Sequence, residues 1–182
     1  SLMYYPRPGE ILLCNYDTGF VAPEMTKLRP VVVVSPRLRK RGELVGVVPL
    51  STTEPDQLED HHCRIEMAKP LSQNYPSLIM WAKCDMLATV ARSRLDRFKA
   101  GRVDGSRIYV SGHLDIDQLK AVRASILYGL GLGSLTFIFD DIYENCSRSA
   151  LASGLEPVLI PAEPVRAARL TFSDNKLGEA VF

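Results

Sequence analysis

Glu24-Met-Thr-Lys-Leu-Arg29-Pro-Val-Val-Val-Val-Ser35 is the stretch from which the fold is read. Four consecutive valines between a proline and a serine predict a strand buried on both faces. β-Branched side chains fit the pleat, and no polar position interrupts the run. Pro30 excludes Arg29 from the helical region, so the arginine enters that strand extended. Glu24 lies upstream in a polar, irregular segment. A cation and a carboxylate thus stand at the mouth of a rigid strand, where a precise site can be built. A surface ion pair at a strand entrance is the plainer reading of the same two residues.

On either side of this stretch the chain reads as short strands. Arg7-Pro8-Gly9 is a turn, followed by a strand from Glu10 to Tyr16. Asp17 to Leu28 is a loop. Pro36 ends the valine strand, Arg37 to Gly42 makes a basic hairpin tip, and Leu44 to Ser51 returns. Pro49 in that return predicts an edge position or the strand's last turn, because proline has no N–H to give a ladder. His62 to Met67 alternates polar and apolar, as a half-buried strand does. Leu78 to Lys83 and Met86 to Val90 are two short strands or one bent one.

The period then changes. Asp115-Ile-Asp-Gln118 is a capping-box signature, and Ile116, Leu119, Val122, Ile126, Leu127 and Leu130 recur at helical spacing behind it. Gly129, Gly131 and Gly133 stop the helix. Mainly β with α is the expected class, one helix lying on a strongly curved sheet. Residues 3–132 form the barrel domain and 133–182 a C-terminal extension. In the extension Leu135–Phe139 reads as a strand and Asp141–Leu151 as a short helix. Pro157, Pro161 and Pro164 exclude long regular elements. Its apolar content predicts that it packs on the barrel or on a partner subunit.

Composition sets the outer bounds. The chain has 182 residues, 46% hydrophobic and 24% charged, with net charge +1, the profile of one ordinary globular domain. Positive charge is concentrated early. Residues 1–100 hold 14 Lys/Arg against 11 Asp/Glu, whereas 101–182 hold 8 against 10. Cys14, Cys63, Cys84 and Cys146 contain no CxxC pair and read as reduced thiols of a cytoplasmic protein. No apolar run reaches membrane-spanning length. Ser1-Leu2 ahead of Met3 reads as a cloning remnant.

Several segments together resemble the MazF/PemK family of toxin endoribonucleases from type II toxin–antitoxin systems. Pro8-Gly9-Glu10-Ile-Leu stands at the family's opening strand. Glu24, then Arg29-Pro30 and the valine run, keep the spacing of its Glu…Arg-Pro signature. Val48-Pro49-Leu50-Ser51-Thr52 is similar to its third strand end, Trp81 to Leu95 to its next segment, and Asp115 to Leu132 to its closing helix. Ala22-Pro23 replaces the family's Gly-Ser, Ser51 with Thr52 beside it stands for the family's catalytic Thr, and 96–112 is an insertion. The resemblance implies a small SH3-like barrel that pairs as a homodimer, cuts single-stranded RNA without metal or other cofactor, and is held in check by a cognate antitoxin. It implies 2′,3′-cyclic phosphate and 5′-hydroxyl products.

The chemistry accounts for these residue types. Metal-free RNA cleavage uses the substrate's own 2′-hydroxyl, and the charge gathered on phosphorus needs a fixed cation and donors. Arg29 is permanently charged and matches two phosphate oxygens with its planar fork. Ser51 or Thr52 donates to a nonbridging oxygen, and Glu24 accepts the 2′-proton or orients Arg29. The tip residues Arg37, Arg39, Lys40 and Arg41 read either as phosphate contacts or as a plain solvated hairpin. Asp85 is a weaker RNA-contact candidate. His61-His62-Cys63 with Cys84 lacks zinc-finger spacing, so the expectation is no metal, with the cysteines in the core. Trp81 reads as core. Two alternatives keep the fold but not the enzyme: a CcdB-like inhibitor of DNA gyrase, and a non-catalytic barrel binding RNA or protein.

Overall fold

The computed structural model describes residues 2–37 and 39–136. Most of the extension 133–182, including the helix expected at Asp141–Leu151, lies outside the described residues. At its start Gly133–Leu135 forms a 3-10 turn.

The first six strands and the helix stand in the expected order, whereas the four strands from Leu95 to His113 correspond to no expected element. Among the described residues there are ten strands and one helix in all. They are β1 (Glu10–Asn15), β2 (Leu28–Val33), β3 (Leu44–Ser51), β4 (His62–Glu66), β5 (Ile79–Lys83), β6 (Ala88–Ala91), β7 (Leu95–Asp96), β8 (Phe98–Val103), β9 (Ser106–Val110), β10 (Gly112–His113) and helix α1 (Ile116–Gly129). β1 pairs with β2, β2 with β3 and β3 with β6, all antiparallel. A 3-10 turn, Arg92–Arg94, leads from β6 into β7, which pairs back onto β1. The strands thus curl into a ring closed through that turn, with β4 left at the end of the sheet.

The valine strand is buried on both faces, as its composition predicts. Val31, Val32 and Val33 are fully buried, each contributing about 1.5–3 kcal/mol by leaving water. They alternate between two cores. Val31 and Val33 join Leu12, Cys14, Val45, Val47, Val90 and Leu95 in one cluster. Val32 joins Ile11, Val48, Leu50, Ile65 and Met80 in the other, which is covered by Leu119, Val122 and Ile126 of α1. The helix therefore packs on one face of the sheet, and the barrel interior lies on the other.

Local detail refines several expectations. Of the two places offered for Pro49 the edge is excluded, since β3 has partners on both sides, and the strand's last turn holds, Pro49 lying two residues before the end of β3. Val34 N donates to Gly46 O at 3.0 Å, so by alternation Pro49 turns its N-substituted side away from β2. That side meets the interval between Val47, the last β6 partner, and Leu50, the first β5 partner. A missing N–H costs nothing there. The two short strands β5 and β6 run along that edge of β3, separated by a 3-10 turn at Cys84–Met86.

Asp115 caps the helix by accepting from Gln118 N at 2.7 Å. The reciprocal half of the capping box is absent, because the Gln118 side chain donates to Glu66 O at 2.8 Å and so pins the helix to β4. The apolar stripe is also narrower than its sequence suggests, with Ile116 and Leu130 exposed. At the other end Gly131 adopts φ +72°. Leu132 N donates to Leu127 O and Gly131 N to Tyr128 O, the pair of bonds that closes a helix through a left-handed residue.

The insertion at 96–112 is a β-hairpin, β8–β9, forming its own two-stranded sheet. Asp104 and Gly105 both have positive φ, +49° and +79°. This is the backbone of the two-residue turn that matches strand twist.

Candidate active site

Arg29 lies in β2 opposite Cys14 of β1. On the other side, β2 and β3 pair Val31 with Pro49, Val32 with Val48 and Val33 with Val47. Continuing that register by two residues carries Arg29 to the level of Ser51. Alternation also turns both toward the face of Val31 and Val47. Each is half-buried, so the extended register would set the cation and the hydroxyl level with each other on that face.

The guanidinium is held by its own loop. Arg29 Nε donates to Thr26 O at 3.3 Å, and its terminal nitrogens carry no hydrogen bond or ion pair among the described residues. An arginine fixed through Nε with its outer fork open presents two parallel donors to an anion. Ser51 Oγ accepts from Thr53 N at 3.1 Å, which leaves its proton to donate. Thr52 is exposed beside it.

Glu24 does not pair with Arg29. Its Oε2 accepts from Val21 N at 2.7 Å while Glu24 N donates to Val21 O at 2.8 Å, so the carboxylate closes a tight local turn next to the cis Ala22–Pro23 bond. The surface ion pair considered from the sequence is not formed. The loop is anchored elsewhere. Arg94 donates to Asn15 O and Thr18 Oγ1 and lies over the Phe20 ring at 5.4 Å, and Phe20 meets Tyr16 edge-on. Arg94 thereby positions the segment that carries Glu24.

Tyr75 is a neighbour that sequence reasoning missed. Its hydroxyl donates to Leu28 O at 3.5 Å, and its ring meets Phe98 edge-on at 5.5 Å. Burial raises the pKa of its hydroxyl, opposed by the charge of Arg29, so a neutral phenol stands beside the cation. Nothing in Ser72-Gln-Asn-Tyr75-Pro marks it, since a tyrosine in a polar loop is common.

The remaining candidates lie apart. Arg37, Arg39, Lys40 and Arg41 follow the far end of β2, a strand length of roughly 20 Å from Arg29. Arg37 lies over the Tyr5 ring at 5.8 Å, and Arg39, Lys40 and Arg41 are exposed. Asp85 is exposed beside His61, Oδ1 to Nε2 3.9 Å. Trp81 is buried but belongs to neither core cluster; it is paired in the sheet with Ser51 and Arg64.

Cys14, Cys63 and Cys84 are buried free thiols, and burial pushes the Cys14 pKa up to about 11. They offer nothing to the histidines. His61, His62 and Asp85 do bring one ligand atom each within 4.8 Å of the others. His62 Nδ1, however, accepts from Glu59 N at 3.2 Å. That bond fixes the tautomer with Nε2 protonated, and a metal would have to break it. His61, with Glu59 at 3.4 Å on its other nitrogen, reads with its neighbours as a hydrogen-bonded loop end.

A mainly antiparallel, curled sheet with one helix packed on it is the architecture of a small SH3-like barrel. The chain belongs to the PemK-like, MazF-like toxin family of type II toxin–antitoxin systems, whose model matches residues 7–128. It is 32% identical over 120 residues to protein YifN of Escherichia coli (strain K12), covering 56% of this chain and 79% of that one. Among solved structures it is similar to MazF from Deinococcus radiodurans (TM-score 0.48, 19% identity, 70% of this chain and 98% of that one). It is similar also to Mycobacterium tuberculosis toxin MazF-mt6 (TM-score 0.46, 21% identity, 69% and 98%).

Proposed function

We propose that this chain is an endoribonuclease toxin that cuts single-stranded RNA through attack of a ribose 2′-hydroxyl on the adjacent phosphorus. The observation that carries the reading is the Arg29 guanidinium, tied by Nε to Thr26 O with its outer fork open at the level of the Ser51 hydroxyl. Such an arrangement suits a phosphate whose charge rises during reaction, because preorganised donors act where charge develops.

In this mechanism the 2′-oxygen bonds to phosphorus, its proton passes to a base, and the bond to the 5′-oxygen breaks, leaving a 2′,3′-cyclic phosphate. Arg29 stabilises the phosphorane through two oxygens. Ser51, with Thr52 beside it, donates to a nonbridging oxygen. Glu24 serves as the proton acceptor, its ionised carboxylate keeping acceptor capacity beyond the one bond to Val21 N. The leaving 5′-oxygen takes a proton from solvent or from a neighbouring donor. No step calls for a metal. Arg39, Lys40 and Arg41 enter only as contacts to a longer RNA, Arg37 is engaged with Tyr5, and Asp85 stays outside the reacting centre. In the cell the protein works as a homodimer and is silenced by a cognate antitoxin covering the groove.

The test is incubation with single-stranded RNA in EDTA beside the same sequence with 2′-O-methyl ribose. Cleavage of the first alone, leaving cyclic phosphate ends, is expected. RNA left intact, or equal cleavage of both, would overturn the reading.

A further inference from the structure

The β8–β9 hairpin is a two-faced ribbon. Its register pairs Phe98 with Val110, Lys99 with Tyr109, Gly101 with Ile108, Arg102 with Arg107 and Val103 with Ser106, with a bulge between Lys99 and Gly101. Strand alternation therefore collects Phe98, Val110, Ile108 and Val103 on one face and Lys99, Tyr109, Arg102 and Arg107 on the other. Phe98 is fully buried in the core under the helix, with Val110 packed against it, and this roots the ribbon. Arg97, just before β8, lies over the Tyr109 ring at 5.1 Å and extends the cationic face toward the root.

Three observations give that face a purpose. Lys99, Arg102 and Arg107 are exposed and have no ion pair or hydrogen bond among the described residues. Arg102 and Arg107 share one rung, and like charges placed directly opposite each other destabilise a ladder. A chain that keeps such a rung without an acid to neutralise it is suited to an anion from outside. The ribbon also springs from beside Arg29. The Phe98 ring meets Tyr75, whose hydroxyl bonds to Leu28 O, one residue from Arg29. In the sheet itself Arg29, Cys14 and Leu95 stand on one row, about 10 Å across.

We propose that the cationic face of this hairpin, Lys99, Arg102 and Arg107 with Arg97 and Tyr109, binds the phosphate backbone of single-stranded RNA entering or leaving the Arg29 site. This rests on the nuclease reading above and names how the substrate is gripped outside the reacting centre. The ribbon makes charge contacts along the backbone, and the Arg97–Tyr109 stack offers a flat surface to a base. It selects chain polarity and charge rather than sequence.

The test measures binding of a short, mixed-sequence RNA carrying 2′-O-methyl ribose throughout, which cannot be cut by its own 2′-oxygen. Arg102→Gln/Arg107→Gln is compared with the unaltered full chain across salt. Neutralising the rung removes a repulsion, so the double variant is expected to fold, checked by circular dichroism. Losing two phosphate contacts lowers the slope of log K against log salt by about 1.4. Between 50 and 200 mM salt the unaltered chain accordingly loses about sevenfold more affinity than the variant. An unchanged slope would overturn the ribbon's role and leave the nuclease reading intact. Failure of the unaltered chain to bind this RNA would overturn the ribbon's role, while cleavage of unmodified RNA separately decides the nuclease reading. An unchanged RNA slope with weakened binding of polyglutamate would assign the face to an acidic polypeptide and overturn the proposal.

Discussion

Replacing Arg29 separates the chemistry of the site from its architecture. In the fold, Arg29 contributes one hydrogen bond, Nε to Thr26 O at 3.3 Å, worth about 0.5–1.5 kcal/mol net. β2 itself is held by Val31, Val32 and Val33, all fully buried, and these do not depend on the guanidinium. Arg29→Ala is therefore expected to lower unfolding stability by about 1 kcal/mol and leave the fold in place. In the reaction the same change removes both donors of the fork. Loss of even one preorganised donor costs about 100- to 1,000-fold in kcat, so the variant should fall by at least about 100-fold. Arg29→Lys should fall nearly as far. An ammonium has no Nε to anchor on Thr26 O and cannot span two oxygens, so the charge is kept while its placement is lost. The assay is single-turnover cleavage of a labelled RNA, with urea unfolding run on the same samples. A folded Arg29→Ala protein that cuts within a few-fold of the native rate would refute the assignment.

Asp115→Ala removes the cap on α1 and is expected to cost about 1 kcal/mol, read as a lower urea midpoint with unchanged RNA cleavage; an unchanged midpoint would contradict the Asp115–Gln118 bond. Cys14 holds its proton in the folded state up to about pH 11 against an ordinary value of 9, whereas the unfolded chain releases it earlier. Stability that is fully present below pH 9 is thus lost as pH rises toward 11, by an amount on the order of 2 kcal/mol. The urea midpoint at pH 8 and pH 11 should show that fall, and Cys14→Ala should show a smaller one. Sedimentation at micromolar concentration is expected to give a two-chain species, and a monomer there would remove the homodimer from the proposed function.

Where a sequence signal was strong and local, it led to the right element. The valine run could be little else than a doubly buried strand, and the spacing from Leu119 to Ile126 located the helix face. The level of Ser51 relative to Arg29 was less visible, because it follows only from extending the register between β2 and β3, which two isolated strands do not announce. Glu24 illustrates the opposite case. Its position beside Arg29 in the chain suggested a pair, but a carboxylate three residues after Val21 found the nearer backbone amide first. Pro49 left an edge and the strand's last turn both open, and only the second holds, because the change of partner strand along β3 could not be foreseen. The hairpin was overlooked although its signal was present. Asp104-Gly105 is the dipeptide that favours a two-residue turn, and the flanking Arg, Lys and Val residues hid the alternation. Tyr75 left no trace in the sequence, since its importance comes only from what the barrel brings next to it.

The way β7 and β10 share β1 has a consequence for how this protein can change. Asp96 faces Leu13 and Gly112 faces Ile11, so the two partners stop only two positions apart on the same edge, about 7 Å. A single residue could span that distance, yet the chain spends residues 97–111 on it. Geometrically β7 and β10 are one strand with an excursion spliced into its middle. The closure of the barrel rests on Leu95, Asp96, Gly112 and His113, and none of these pairings depends on how long the excursion is or what charge it carries. Apart from Phe98 and Val110 at its root and the left-handed positions Gly101, Asp104 and Gly105, its composition is free to drift under selection from whatever it touches, while the strand bearing Arg29 stays fixed. The molecule thus separates a part that must be conserved to fold from a part that can be rewritten at little structural cost.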